Sequence, residues 1–214
     1  MRRNRLKKRP AVRGHLIRWL IIVLGLVLWV RIYYPANPWS AEGAAEEALR
    51  GIQLPPAQIV ETVDSGNGSY LLLLFDEDNR MFHQMYASRD FGLLWRNRGG
   101  GFGSELKPDV LLSFKSGMTT LDNRRHYYFV GQLHDPDVLE LKIVWHDGLE
   151  QTVKPSGELY AASRSFPAKE ANGDKAWDSK LFAYDRNGNL KYELNAERTE
   201  IIASQGQDSV GAVR

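Results

Sequence analysis

Apolar and polar positions change their spacing along this chain, and each change marks a different kind of element. From Trp19 to Val30 no polar side chain occurs at all. Twelve residues of helix rise only about 18 Å, short of a hydrocarbon core about 30 Å thick. The flanks extend the run: Leu16 and Ile17 precede it, and Ile32, Tyr33 and Tyr34 follow it. Residues 16–34 then give about 28 Å of helix, enough to cross. Its lipid-facing anchor is Leu16, Trp19, Leu20, Ile21, Ile22, Val23, Leu24, Leu26, Val27, Leu28, Trp29 and Val30. Arg18 and Arg31 lie near the two ends, where a cationic head can reach the interface. Trp19, Trp29, Tyr33, Tyr34 and Trp39 supply aromatic rings at both boundaries, and Pro35 and Pro38 end the helix.

After the span, Ala41–Arg50 is rich in Ala and Glu and predicts a short helix within a juxtamembrane stalk over 35–57. Gly51 and Pro55-Pro56 break it. From 58 to 200 the pattern is one of strands and turns. Ser69–Phe75 is a continuous apolar run between polar turns, as in a strand covered on both faces. Leu139, Leu141, Ile143 and Trp145 alternate with Glu140, Lys142, Val144 and His146, which predicts one dry face and one mostly wet one. Asp147-Gly148 then signals a two-residue hairpin that returns Leu149–Val153. Leu181–Tyr184, the turn Asp185–Asn189, and Leu190, Tyr192 and Leu194 predict a second hairpin. His126–Leu133 and Val110–Lys115 read as further strands, whereas Met81–Ser88 fits strand or helix spacing. Residues 166–178 read as a polar loop, and 201–214 as a flexible tail. The fold class expected is mainly β, an antiparallel sandwich-like domain preceded by one transmembrane helix.

Charge sharpens this picture. The formal net charge is +2, but residues 1–31 hold nine of the 28 Lys and Arg and none of the 26 Asp and Glu. That segment carries +9 and the remainder −7, so the two halves oppose each other. Such a split excludes a uniformly basic nucleic-acid-binding domain. By the positive-inside rule, the basic tail 1–15 is cytoplasmic and residues 35–214 lie outside. Signal cleavage is the rival reading. It needs small residues soon after the apolar run, yet Ala41/Gly43 and Gly43/Ala45 come more than ten residues beyond Val30. The absence of cysteine excludes disulfides, thiolate metal sites and a thiol nucleophile.

Candidate chemistry is sparse. Arg98-Gly-Gly-Gly-Phe-Gly103 lacks the Gly-Lys-Ser/Thr ending of a phosphate loop and predicts a sharp connection between strands. Ser104-Glu-Leu-Lys107 matches a Ser-x-x-Lys nucleophile motif, but Pro108 breaks the helix that would align the pair. His126, His134 and His146 stand near Asp135, Asp137 and Asp147, and a metal site needs them to converge. Asp185-x-Asn187-x-Asn189 begins like a calcium loop, yet Leu190 occupies the required Gly position. No catalytic, cofactor or metal residue is assigned, and no cofactor is expected. Trp177, an aromatic in a polar loop, is the one candidate for surface recognition.

The whole arrangement resembles uncharacterised single-span envelope proteins of spore-forming Gram-positive bacteria. The matching residues are the basic start, the span, Tyr70-Leu-Leu-Leu-Leu-Phe75, Leu94-Trp95 before Gly99–Gly101, Tyr128-Phe-Val-Gly131 before His134-Asp-Pro-Asp-Val138, and Ala183-Tyr-Asp-Arg-Asn-Gly188. They cover roughly residues 59–194 and imply an envelope location but no activity or site residues. The expected role is therefore a non-catalytic binding or structural module of the envelope. Its expected partners are the lipid bilayer and an envelope protein or wall component, with no nucleic acid. The alternatives are a regulatory subunit acting through its span, or an envelope hydrolase whose His/Asp or Ser/Lys groups converge only on folding.

Overall fold

In the computed structural model the described residues are 12–34, 37–168 and 178–202. Helix α1 (Val12–Tyr33) contains the expected anchor, and among the described residues it is the one helix long and apolar enough to cross a membrane. Every anchor side chain from Leu16 to Trp29 is exposed, and Val30 is half-buried. Helix α2 (Ala41–Gly51) starts at Ser40, whose hydroxyl accepts from the Gly43 N–H at 3.1 Å.

Among the described residues thirteen strands follow, all paired antiparallel. The outer sheet is β1 (Gln58–Gly66), β2 (Ser69–Asp76), β3 (Met81–Asp90) and β4 (Leu94–Glu105), in that order. The middle sheet runs β10 (Leu159–Pro167), β7 (Arg124–Gln132), β6 (Lys115–Leu121). The far sheet runs β12 (Leu190–Leu194), β11 (Lys180–Asp185), β8 (Val138–Val144), β9 (Glu150–Val153). A short ladder joins β13 (Glu200–Ile202) to β5 (Val110–Ser113).

Alternation along the strands decides how these sheets stack. On β7, Tyr127 and Phe129 pack among far-sheet residues Leu141, Ile143, Leu181 and Tyr192, while Val130 packs with outer-sheet Leu71, Leu73 and Phe82. On β10, Tyr160 and Ala162 share the first cluster, and Leu159 and Ala161 the second. On β2, Leu71 and Leu73 face the middle sheet, whereas Leu72 and Leu74 face Ala45, Ala48 and Leu49 of α2. The order of layers is thus α2, outer, middle, far. The segment expected as a stalk contributes a structural layer through α2.

The continuous apolar run of β2 is covered on both faces, as its pattern predicts, and Met81–Ser88 is strand because β2 and β4 pair with it on either side. Four expectations are corrected. Leu139 is exposed, because a bulge opposite Tyr184/Asp185 shifts the alternation and puts Val138 inside instead. The Asp147-Gly148 hairpin has a three-residue loop, closed by the Trp145 N–H to the Leu149 carbonyl at 2.9 Å, with Gly148 at φ +81°. Val110–Lys115 is two strands, since Phe114 turns inward to stack on Phe129 at 4.7 Å. Ile201 and Ile202 belong to β13, and Ile201 is buried, so the flexible tail cannot begin at 201.

The glycine run is likewise no connection. Residues 98–103 lie inside β4, where a Cβ on Gly100 would stand 2.2 Å from the Gln84 carbonyl oxygen of β3. Close approach of two backbones selects glycine there. The basic tail to residue 11, Trp177 and residues 203–214 lie outside the described residues.

Phe129, stacked on Phe114 and 4.8 Å from Trp145, sits at the heart of the largest cluster. Phe129→Ala should cost about 3–5 kcal/mol of stability, whereas Leu139→Ala should stay within about 0.5 kcal/mol. Urea unfolding of the full chain in mild detergent, followed by tryptophan fluorescence, checks both.

Candidate functional site

Between the outer and middle sheets lies a chain of buried polar side chains from four strands. The Tyr86 hydroxyl is 2.7 Å from Ser163 Oγ, Ser163 Oγ is 2.7 Å from Ser65 Oγ, and Ser65 Oγ is 2.9 Å from His126 Nδ1. One proton order satisfies them all: Tyr86 donates to Ser163, Ser163 to Ser65, and Ser65 to His126. The imidazole in turn donates to the Leu121 carbonyl. Ser163 is also 3.0 Å from the Tyr127 carbonyl, a second acceptor for its hydroxyl. These residues are separated by up to 98 positions, so no local pattern could pair them.

A serine against an unprotonated histidine is the elementary nucleophile–base contact. Burial, reinforced by the Arg124 charge, holds the His126 imidazole below its ordinary range, and burial raises the Tyr86 hydroxyl above its own. Other features argue for a structural role. Ser65, Tyr86, His126 and Ser163 are all buried, so no substrate reaches the hydroxyl. The ring's further hydrogen bond goes to a backbone carbonyl, not to an orienting carboxylate. The chain pairs polar groups that sheet packing would otherwise strand.

An open apolar cleft of about 440 Å³ lies nearby, at the far ends of the same strands. Val60, Phe75 and Leu106 line it on one side, and Ser156, Gly157, Glu158 and Leu159 on the other. A bulge at Ile59/Glu61 turns both Val60 and Glu61 toward the middle sheet. Desolvation raises the Glu61 carboxyl, although Ser156 and the Ala161 backbone hydrogen-bond to it. Across the mouth, Arg80 pairs with Glu158 at 2.7 Å and lies 5.7 Å over the Phe75 ring. An apolar lining with a few charged groups at the rim suits binding rather than bond-making.

The motifs singled out in the sequence fall elsewhere and do not assemble. Ser104 lies on β4, where it accepts from Lys115 Nζ at 3.2 Å, while Lys107 pairs with Glu200 at 3.0 Å. His126 belongs to the chain above. His134 stands beside Gln132 and Glu158, and His146 packs between Tyr127 and Phe166 at the opposite end of the strands. Among the described residues no three His, Asp or Glu side chains group as a metal site would require. Asp185 accepts from the Asn187 and Asn189 N–H groups and caps its own hairpin turn.

No protein-family model matches the chain, and no curated protein or solved structure matches it either.

Two buried histidines give this core a pH dependence. His83 Nδ1 accepts from the Gly103 N–H at 2.9 Å, and burial lowers its pKa as it does that of His126. Both therefore stay neutral to lower pH in the folded chain than in the unfolded one, whose imidazoles gain a proton below about pH 6.5. The unfolded chain therefore binds more protons in acid, and stability should fall as pH drops from about 6.5 to about 5. The slope is at most about 1.4 kcal/mol per pH unit for each histidine, and Glu61, whose carboxyl desolvation raises, takes up a proton on the folded side and offsets part of it. Asp76, held low by its hydrogen bonds from Asn79, takes effect only in stronger acid. Urea midpoints measured across this window should show the fall, and His126→Phe should make it shallower.

Proposed function

We propose that this chain is a membrane-anchored, extracytoplasmic β module that binds an envelope partner and carries no chemistry of its own. The observation that carries the anchor reading is the position of the small residues a signal peptidase would need. Ala41/Gly43 and Gly43/Ala45 lie within the first turns of α2, whose Ala44 and Ala45 are buried. Cutting there would remove part of a layer from the folded body, whereas an uncleaved α1 leaves it whole. Exposure of α1 along its apolar length supports the same reading, since a surface of that kind is stable in lipid and not in water. The +9 charge at the N-terminal end supports a cytoplasmic N-terminus.

The face-to-face packing of three sheets supports a sandwich-like closure, with one sheet more than a simple sandwich holds. Binding is favoured over catalysis because the Ser65–His126 contact is sealed between sheets while the apolar cleft is open. An apolar lining favours a protein partner over a carbohydrate, which would need many more hydrogen-bonding groups.

Because the chain has no cysteine, single cysteines report topology cleanly. Asn187→Cys, on the exposed turn of the far sheet, should react with an impermeant maleimide on intact cells, and Asn4→Cys should react only after lysis. The reverse pattern overturns the topology, and release of the labelled body into the medium overturns the anchor. A photo-crosslinker at Val60 should capture one discrete protein that the same group at Leu139 does not. Identical adducts at both positions would remove the cleft as the binding surface.

A further inference from the structure

The turn between β3 and β4 presents two large apolar side chains to solvent. Phe91 is 81% exposed and Leu93 60%. The backbone there suits neither residue. Phe91 has φ +55° and Gly92 φ +69°, and the Leu93 N–H closes the turn on the Asp90 carbonyl at 3.0 Å. Two successive positive φ angles belong to hairpin turns that favour Asn-Gly or Asp-Gly. A bulky side chain at the first of them is strained. The body's own packing makes little use of the Phe91 ring, so its use lies outside the chain.

The turn sits where α1 leaves its apolar stretch. The Tyr34 hydroxyl donates to Asp90 Oδ2 at 3.1 Å, and Arg96 pairs with the same carboxylate at 3.0 Å. The Trp95 N–H donates to the Pro38 carbonyl at 2.7 Å, next to Trp39, which is 69% exposed. Trp29 lies 5.6 Å from the Tyr33 ring and 5.7 Å from that of Tyr34. These links bring exposed apolar side chains of two distant parts of the sequence to one end of the body: Ile32, Tyr33 and Trp39 from one, Phe91 and Leu93 from the other. Arg89, exposed and 5.9 Å over the Trp95 ring, adds a cation at the same level.

We propose that the β3–β4 turn is a second membrane contact, in which Phe91 and Leu93 enter the headgroup–acyl boundary beside Trp39. The inference rests on the anchor reading above. Aromatic and aliphatic side chains with a neighbouring cation are the composition that interfaces retain. Insertion of two side chains is weak alone, but the span holds the turn beside the bilayer and makes the contact effectively intramolecular. The domain then stands on one end of its strands. Since β2 runs from Ser69 at that end to Phe75 at the other, the cleft opens away from the lipid.

Depth-dependent lipid quenching tests this on the full chain, reconstituted in vesicles of phosphatidylcholine and phosphatidylglycerol. A fluorescent label is placed singly at Leu93→Cys, Leu24→Cys and Leu139→Cys. Leu139 is a matched control, 64% exposed and at the opposite end of the strands. The label at 93 should blue-shift and be quenched by lipids spin-labelled at a shallow depth, about 5–10 Å into the boundary, several-fold more than at 139. The label at 24 should be quenched from the bilayer centre. Quenching at 24 with 93 no different from 139 overturns the second contact and leaves the anchor standing. Absence of quenching at 24 overturns both. Phe91→Asn relieves the turn, so it should leave thermal stability in detergent equal or higher while reducing quenching at 93. A loss of stability with undiminished quenching would assign Phe91 to the fold instead.

Discussion

The rest of the molecule depends on two strands of the middle sheet, β7 and β10, that have no wet face. β7 and β10 alternate as strands must, yet both sets of side chains are apolar or internally paired, so each face requires a cover. The outer sheet supplies one cover and the far sheet the other. The outer sheet then has its own second face to bury, through Leu72, Leu74 and Met85, and α2 closes that side. Each layer exists because the previous one leaves apolar surface exposed. Burial at about 25 cal/mol per Å² makes leaving any of these faces open unfavourable.

The same stacking explains where polar groups can stand. Inside the outer–middle interface a hydroxyl or imidazole survives only with a partner, and Tyr86, Ser163, Ser65 and His126 supply one another. The interface loosens toward one end, where the bulge at Val60 and the β9–β10 connection hold the sheets apart and leave an open cleft. At the other end the strands converge on the exit of α1, and Asp90 receives both Tyr34 and Arg96. The body is therefore polarised along its strands.

Local pattern was readable wherever one strand sufficed to state it. The unbroken run of β2, the turn at Asp185–Asn189 and the Ala- and Glu-rich helix α2 each carry their own signal. Readings failed where a neighbour changed the count. A bulge exposes Leu139, Phe114 splits one expected strand into two, and the glycines of β4 answer to the Gln84 backbone on β3. Ile201 looked like tail because its partner strand, β5, lies some ninety residues earlier.

The sequence by itself determined a helix long and apolar enough to cross a membrane, the charge asymmetry and the mainly β class, because each depends on contiguous residues and their period. Only the tertiary structure decided that α2 is a layer, that Ser65 meets His126, and that Phe91 stands beside the end of α1. These are meetings of residues far apart in the chain, and sheet stacking, which depends on which face each strand turns inward, brings them together.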